Sequence, residues 1–533
     1  MSSAHDNRTL DNQRQTQPHH LGLDDITIVD NSTLRKAVSA AALGNAMEWF
    51  DFGVFALVTT AIGANFFPGA SPAVRIISTF SVFAAAFLAR PLGGLVFGPL
   101  GDRIGRKQVL ALTMIMMAIS TFCIGLIPNY NSIGIAAPLL LLLFRLIQGF
   151  SAGGEYGGAA TFVAEYSPDR KRGFMGSWLE FGTFAGFILA SLTVAAVNYC
   201  LHHHFGEAAF DDWGWRIPFF IAGPLGLIGL FLRTRLEETP AFAEHAEKQK
   251  EGSSESVPLS ELLTKHWKPM LLCIGLVLLM NVSTYLLTTV MPTYMQQRVT
   301  DPETQQHISQ LMANNMMTVC MCGMLIFLPL LGFLADKVGR KPLIIAGCIL
   351  LLLFSLPLLH IIQQGSLLYV GLGLLGFSFI QSFFSSTMPS KLPSLFATSV
   401  RYGGLAIAFN ISAALFAGPT PMISEWIMAK LDAIQTPSLF WLREMSADVP
   451  AFYWMIAAVI GLITILLTRE TAAQPLEGSA PAASSRAEAR EILQEHRSNL
   501  ESELEEIDEE IRVLNERRAE VIADHPHLHD DQH

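Results

Sequence analysis

Apolar stretches of about 20 residues, each long enough to cross bilayer hydrocarbon as one helix, recur along most of the chain between short polar breaks. Twelve spans are predicted, near residues 38–62, 76–100, 108–127, 135–163, 174–198, 215–233, 270–296, 310–334, 342–363, 366–388, 402–428 and 450–468. An even number places both termini on one side. The polar residues before the first span, rich in Asn, Gln and His, lack the charged-then-apolar pattern of a cleavable signal, so the first span is its own insertion signal.

The pattern changes after Pro475. A Pro/Ala/Ser-rich linker leads to Leu493, Leu500, Ile507, Leu514 and Val521, which recur every seven residues, with Leu504 and Ile511 at the alternate core position. That is a coiled-coil seam of about four heptads, which implies a homodimer. Arg497 and Arg518 interrupt the alternate core positions and limit its register. In a parallel pair Glu503 faces Asp508 of the second copy, so the antiparallel arrangement is mildly favoured; a solvated single helix is the competing reading.

Internal repetition organises the membrane part. Gly98-Pro-Leu-Gly-Asp102-Arg103-Ile-Gly105-Arg106-Lys107 returns 234 positions later as Gly332-Phe-Leu-Ala-Asp336-Lys337-Val-Gly339-Arg340-Lys341, each copy between two apolar runs. Spans 4 and 10 end on Arg172 and Arg401, and spans 6 and 12 on Arg235-Leu-Glu-Glu-Thr239 and Arg469-Glu470-Thr471, at nearly the same offset. The expected fold is all-α, with twelve transmembrane helices in two homologous six-helix bundles. The expected segments are a polar N-terminal stretch (1–34), a bundle (35–233), a cytoplasmic connecting loop (234–268), a second bundle (269–470), a linker (471–486), the coiled coil (487–523) and a His-rich tail (524–533).

Composition and charge refine this picture. Half of the residues are hydrophobic (51%) and 15% are charged, which excludes a soluble enzyme and a nucleic-acid partner and leaves a multi-pass protein surrounded by membrane lipid. Loops after even-numbered spans hold about 17 Lys or Arg and the other loops about four, so both termini are expected in the cytoplasm. The net charge of −11 comes mostly from the tail, whose acidity keeps it from binding an anionic leaflet by charge. Five of six cysteines fall in spans, so no disulfide framework is indicated. The histidines form no closed metal site, and neither a metal nor another cofactor is expected.

An ionised side chain near the bilayer centre costs on the order of 3 kcal/mol, so each one asks for a reason. They concentrate in the N-terminal half: Glu48 and Asp51 in span 1, Arg90 in span 2, Arg145, Glu155 and Glu165 in span 4, and Glu180 in span 5. Glu48 lies about 18 Å along its helix from Lys36, near mid-membrane. The C-terminal half offers mainly neutral groups, including Asn281 and Tyr285. A carboxylate beside a guanidinium can switch between protonated and ionised as access changes, which proton coupling requires; the alternative is a permanent pair that locks helix packing. Trp49 and Phe52 beside Glu48 suit a quaternary ammonium by cation–π attraction, with Asn45, Arg90 and Tyr285 as candidate donors. In the repeated loops, Asp102 and Asp336 suit helix N-termini, and Arg103, Arg106, Lys107, Lys337, Arg340 and Lys341 suit carboxylates, as gates or as anchors of topology. Glu165 is expected to pair with Arg170 or Arg172.

The repeated loop, together with Gly44-Asn-Ala-Met-Glu-Trp-Phe-Asp-Phe-Gly53, Gln148-Gly-Phe-Ser-Ala-Gly-Gly-Glu-Tyr156, Val163-Ala-Glu-Tyr-Ser-Pro-Asp-Arg-Lys-Arg172 and the heptads, resembles the metabolite:proton symporters of the major facilitator superfamily. The likeness covers nearly all of residues 35–523. It implies alternating access, a proton as coupling ion, a bacterial inner-membrane location and, through the tail, the osmotically activated members that import proline, glycine betaine and similar zwitterions. Citrate, dicarboxylate and shikimate carriers of the family have similar loops, so a carboxylate carrier is the alternative; a non-transporting membrane sensor is the alternative of another class. Carried over by motif, Asn45, Glu48 and Phe52 line the substrate path. Phe55 stands where the family has Tyr, so that hydroxyl contact is not carried over, and the N-terminal extension is longer than usual.

Overall fold

The computed structural model describes residues 21–104, 106–206, 208–234, 264–398 and 400–524. It divides into two compact units, residues 32–479 and a smaller one formed by residues from the two ends of the chain.

In the larger unit all twelve predicted spans are helical. The first runs Asn31–Leu57 and continues, bent by 59°, as Thr59–Phe66. The Thr59 hydroxyl donates to the Ala56 carbonyl at 2.8 Å, and this competition with the backbone ladder accounts for the bend. The second to sixth spans are Pro72–Ile104, Arg106–Leu126, Ala136–Ala152 continued as Glu155–Tyr166, Arg172–Phe205 and Ile217–Thr234. The second half supplies Trp267–Arg298, Gln310–Val338, Arg340–Gln363, Leu367–Lys391, Arg401–Asp432 and a last span built on Val449–Leu466.

Spans 7 and 11 each contain a wide π turn, Leu286–Val290 and Ala413–Ala417. A proline follows each closely, Pro292 and Pro419. Proline lacks the N–H for the preceding turn and its ring crowds that carbonyl, so a wider turn relieves the clash. Both interruptions flank the polar centre of the protein.

Glycines let helices within the first half meet at backbone distance. A Cβ on Gly149 would stand 1.7 Å from the Ala86 carbonyl oxygen, and one on Gly182 would stand 2.2 Å from that of Ala42. Spans 2 and 4, and spans 1 and 5, therefore cross without side chains between them.

The two halves are joined at both ends of their seam. On the side carrying the repeated loops, Asp336 accepts from the Gly173 and Phe174 N–H groups at 2.6 and 2.8 Å, and Arg401 donates to Glu165 at 2.7 Å. On the opposite side Gln310 donates to the Leu57 carbonyl at 2.9 Å, and Ser191 bonds Thr318. The molecule is thus captured with neither side of the seam parted.

The smaller unit joins residues near the two ends. Thr27–Ile28 pairs in parallel with Ala482–Ala483, and Ile26, Ala483 and Ala489 form a small core onto which Leu21, Ile492 and Leu493 pack. A helix, Arg486–Asp524, follows. Ser485 accepts from the Glu488 N–H at 3.2 Å while Glu488 accepts from the Ser484 N–H at 2.8 Å, a reciprocal cap that starts it. Leu493 of the seam is thereby covered within the chain, whereas Leu500, Leu504, Ile507, Ile511, Leu514 and Val521 are exposed.

Candidate substrate and proton path

Span 1 delivers its polar residues to the centre because spans 2, 4 and 5 surround it. Glu48 accepts from Arg90 at 3.0 Å, both fully enclosed. One turn on, Asp51 accepts from Thr121 at 2.9 Å, Gln148 donates to Thr121 at 2.5 Å, and Arg145 donates to Gln148 at 2.9 Å. Two guanidiniums are thus matched by two carboxylates in one buried cluster. Glu155 accepts from Thr113 at 3.2 Å.

Aromatic rings close around this cluster. Trp49, Phe52, Phe83, Phe87 and Tyr285 lie with neighbouring centroids 5.2 to 6.4 Å apart, so the rings touch one another. The Arg145 guanidinium stands 4.2 Å from the Phe55 centroid and 5.1 Å from those of Phe52 and Phe83, and Arg90 is 5.5 Å from Phe87. Tyr285 comes from the C-terminal half, so the cage is completed across the seam.

The three expected donors are placed differently. Asn45 is committed to the Leu179 carbonyl at 2.9 Å and to Thr183 at 2.5 Å, and it accepts from the Trp49 indole at 3.1 Å; Arg90 is committed to Glu48. Unfilled hydrogen-bonding capacity remains on Nε of Arg90, Nε and Nη2 of Arg145, the Tyr285 hydroxyl and the Asn281 amide nitrogen, all buried. An orphaned buried donor is costly unless something fills it in another state of the protein.

The repeated loops diverge from expectation in one pairing. Glu165 bonds Arg401 of the other half, while Arg172 pairs with Asp169 and donates to the Ala164 and Gln474 carbonyls at 2.9 Å. Arg172 begins the next helix, beyond the turn at Pro168. Arg340 is buried against the Thr471 carbonyl at 3.1 Å and lies 4.0 Å from Asp336; Lys341 donates to the Thr468 carbonyl at 2.7 Å, and Lys337 lies over the Phe333 ring. The side chains of Asp102, Arg103, Arg106 and Lys107 lie outside the described residues, as do most of the 234–268 loop and the tail beyond 524.

Sequence reasoning missed Thr121, Gln148, Phe83 and Phe87 as neighbours of the cluster, since nothing local marks a neutral or aromatic residue as central. It also missed Glu470, although the repeated Arg/Glu/Thr ending of spans 6 and 12 pointed there. Burial pulls the Glu470 carboxyl upward, but backbone N–H donors of Thr471, Lys341, Ala472 and Arg340 outweigh it and hold the group below the usual carboxylate range.

Known proteins match this chain over nearly its whole length. Residues 37–257 match the sugar (and other) transporter family, residues 299–500 the major facilitator superfamily, and residues 484–529 the osmosensory transporter coiled coil. The glycine betaine/proline/ectoine/pipecolic acid transporter OusA of Dickeya dadantii is 48% identical over 96% of this chain and 98% of its own length. The proline/betaine transporter of Escherichia coli K12 is 47% identical over 95% and 97%. Among solved structures, the proton:xylose symporter XylE superposes with a TM-score of 0.62 at 20% identity, covering 84% of this chain and 98% of XylE, which shows the fold. The chain is a membrane transporter and not an enzyme: with two six-helix bundles and near-complete alignment to these relatives, it belongs to the major facilitator superfamily, among the proline/betaine transporters.

Proposed function

We propose that this protein is a proton-coupled symporter that imports a compact zwitterionic osmolyte, such as proline or glycine betaine, and that high osmolality activates it. One observation carries the substrate reading: the buried cluster balances Arg90 and Arg145 against Glu48 and Asp51, beside aromatic rings and with unused N–H groups on Arg145. A zwitterion enters such a site without leaving net charge in the membrane, its cationic end on the rings and its carboxylate on the guanidinium. The proportions of the relatives support the same assignment. The protein is read as lying in the bacterial inner membrane with both termini cytoplasmic, Asp102 and Asp336 and their basic neighbours serving as gates on that side.

Competition for uptake of labelled betaine into proteoliposomes tests the substrate. Unlabelled proline and betaine are expected to compete strongly and 2-oxoglutarate weakly. No uptake of labelled betaine, with uptake of labelled 2-oxoglutarate in its place, would move the protein to the carboxylate carriers.

The tail is read as a homodimerising modulator. Its exposed seam and the arginines at 497 and 518 suit a weak, ion-sensitive association, and coverage of Leu493 within the chain leaves the heptads from Leu500 onward for the second copy. Replacing Ile507 by Pro, which breaks the helix, is expected to preserve basal uptake while shifting the osmolality needed for activation. Initial uptake rate against external osmolality at matched expression is the measurement; superimposable curves for both proteins would remove the tail from the response.

A further inference from the structure

Glu180 is a membrane-buried carboxylate of the first half that lies outside the cluster of Glu48, Arg90, Asp51 and Arg145. Burial leaves it 4% exposed. Its polar neighbours are hydroxyls: Tyr156 donates to it at 2.7 Å, and Thr183 stands near it on the next turn of span 5. No lysine, arginine or histidine accompanies it among the described residues. An ionised carboxylate so enclosed is expensive, whereas the neutral acid is not, so its charge depends on whether water reaches it.

The groups facing it are few. Span 4 contributes Tyr156 and span 7 contributes Tyr285. Span 1 contributes Glu48, which is held by Arg90. On the other spans packed against span 5, Asp336 of span 8 is occupied by the Gly173 and Phe174 N–H groups, and Lys391 of span 10 by the Arg469 carbonyl. Two contacts tie Glu180 to transport. The Tyr156 ring stacks on Phe409 of span 11, with centroids 4.1 Å apart, so the donor to Glu180 lies on the seam between the halves. From the other direction, Trp49 of the cage donates to Asn45, and Asn45 donates to Thr183, which stands one turn from Glu180 on span 5.

We propose that Glu180 carries the coupling proton, with Tyr156 reporting the position of the opposite half and the Trp49–Asn45–Thr183 chain reporting the cage. This rests on the symport reading. With water admitted from outside, one Glu180 oxygen takes a proton from hydronium, forming an O–H bond and leaving water. The neutral acid then accompanies the closed molecule. Opened inward, it returns the proton to water, regenerating carboxylate and hydronium, so one proton crosses per cycle.

The test uses the full chain in proteoliposomes with labelled betaine. Glu180→Gln imitates the protonated form, so it is expected to lose accumulation driven by a pH gradient while keeping betaine:betaine counterflow, which needs no net proton movement. Tyr156→Phe keeps the carboxylate but deprives its anion of a donor, so coupled uptake is expected to persist with its pH profile displaced upward. Accumulation retained in Glu180→Gln would overturn the proposal. If that variant lost counterflow as well, Tyr156→Phe decides: a displaced profile upholds the assignment, and a profile superimposable on wild type rejects it. A wild-type protein indifferent to the pH gradient would sink the symport reading itself, a result distinct from a coupled wild type with a coupled Glu180→Gln variant.

Discussion

Replacing Arg90 by alanine is expected to destabilise the membrane domain by about 3–5 kcal/mol, because it removes the guanidinium paired with the buried Glu48 carboxylate. The two side chains meet at 3.0 Å with 1% and 2% of their surfaces exposed, so water cannot substitute for the lost guanidinium. The double variant Glu48→Gln/Arg90→Gln should recover much of this stability, since two neutral amides can satisfy one another. Neither variant should transport, because each removes the Arg90 guanidinium from the cage. Thermal melting of the purified proteins, arranged as a double-mutant cycle, is the measurement. An Arg90→Ala protein as stable as wild type would mean that Glu48 is neutral in the resting state and that the pair does not organise the centre.

Arg145→Ala is expected to raise the KM for betaine by about 100-fold, equivalent to about 2.7 kcal/mol, the order of a charge-assisted bidentate contact. This side chain differs from Arg90 in holding no carboxylate directly: Gln148 takes Nη1, while Nε and Nη2 have no partner. Arg145→Lys keeps the charge but loses the planar fork and its stacking on Phe55, so it should restore only part of the affinity. The diagnostic comparison is the effect on betaine against that on a choline-like cation without a carboxylate. If both variants weakened binding of the cation as much as that of betaine, Arg145 would act through packing of the rings and not as the carboxylate's partner.

Several of these residues were visible before any coordinates, and the reason lies in the range of the forces concerned. The cost of charge in hydrocarbon depends only on position along a span, so Glu48, Asp51, Arg90 and Arg145 stand out from the chain itself. Asp336 was marked by repetition and by the affinity of helix N-termini for anions, and its carboxylate caps the start of span 5. Its counterpart Asp102 has a side chain outside the described residues. Thr121, Gln148, Phe83 and Phe87 carried no such mark, because a neutral or aromatic residue in an apolar run is common and becomes informative only through its neighbours. Glu165 shows the limit from the other direction. Arg172 is near it in sequence but pairs with Asp169, and Arg401 reaches Glu165 across 236 positions of chain.

By itself the sequence determined the twelve spans, their division into two related halves, the heptads of the tail and the set of costly membrane charges. Each of these follows from length, periodicity or transfer energy, which are properties of a segment and its solvent. Tertiary structure alone decided which charge meets which. The close crossings at Gly149 and Gly182 bring span 4 onto span 2 and span 5 onto span 1, and the π turns before Pro292 and Pro419 shape spans 7 and 11. Those crossings put Glu48 on Arg90, Tyr285 in the cage and Tyr156 between Glu180 and Phe409. Such pairings depend on distances between helices far apart in the chain, and Coulomb and hydrogen-bond energies fall away within a few ångströms, so no local pattern encodes them.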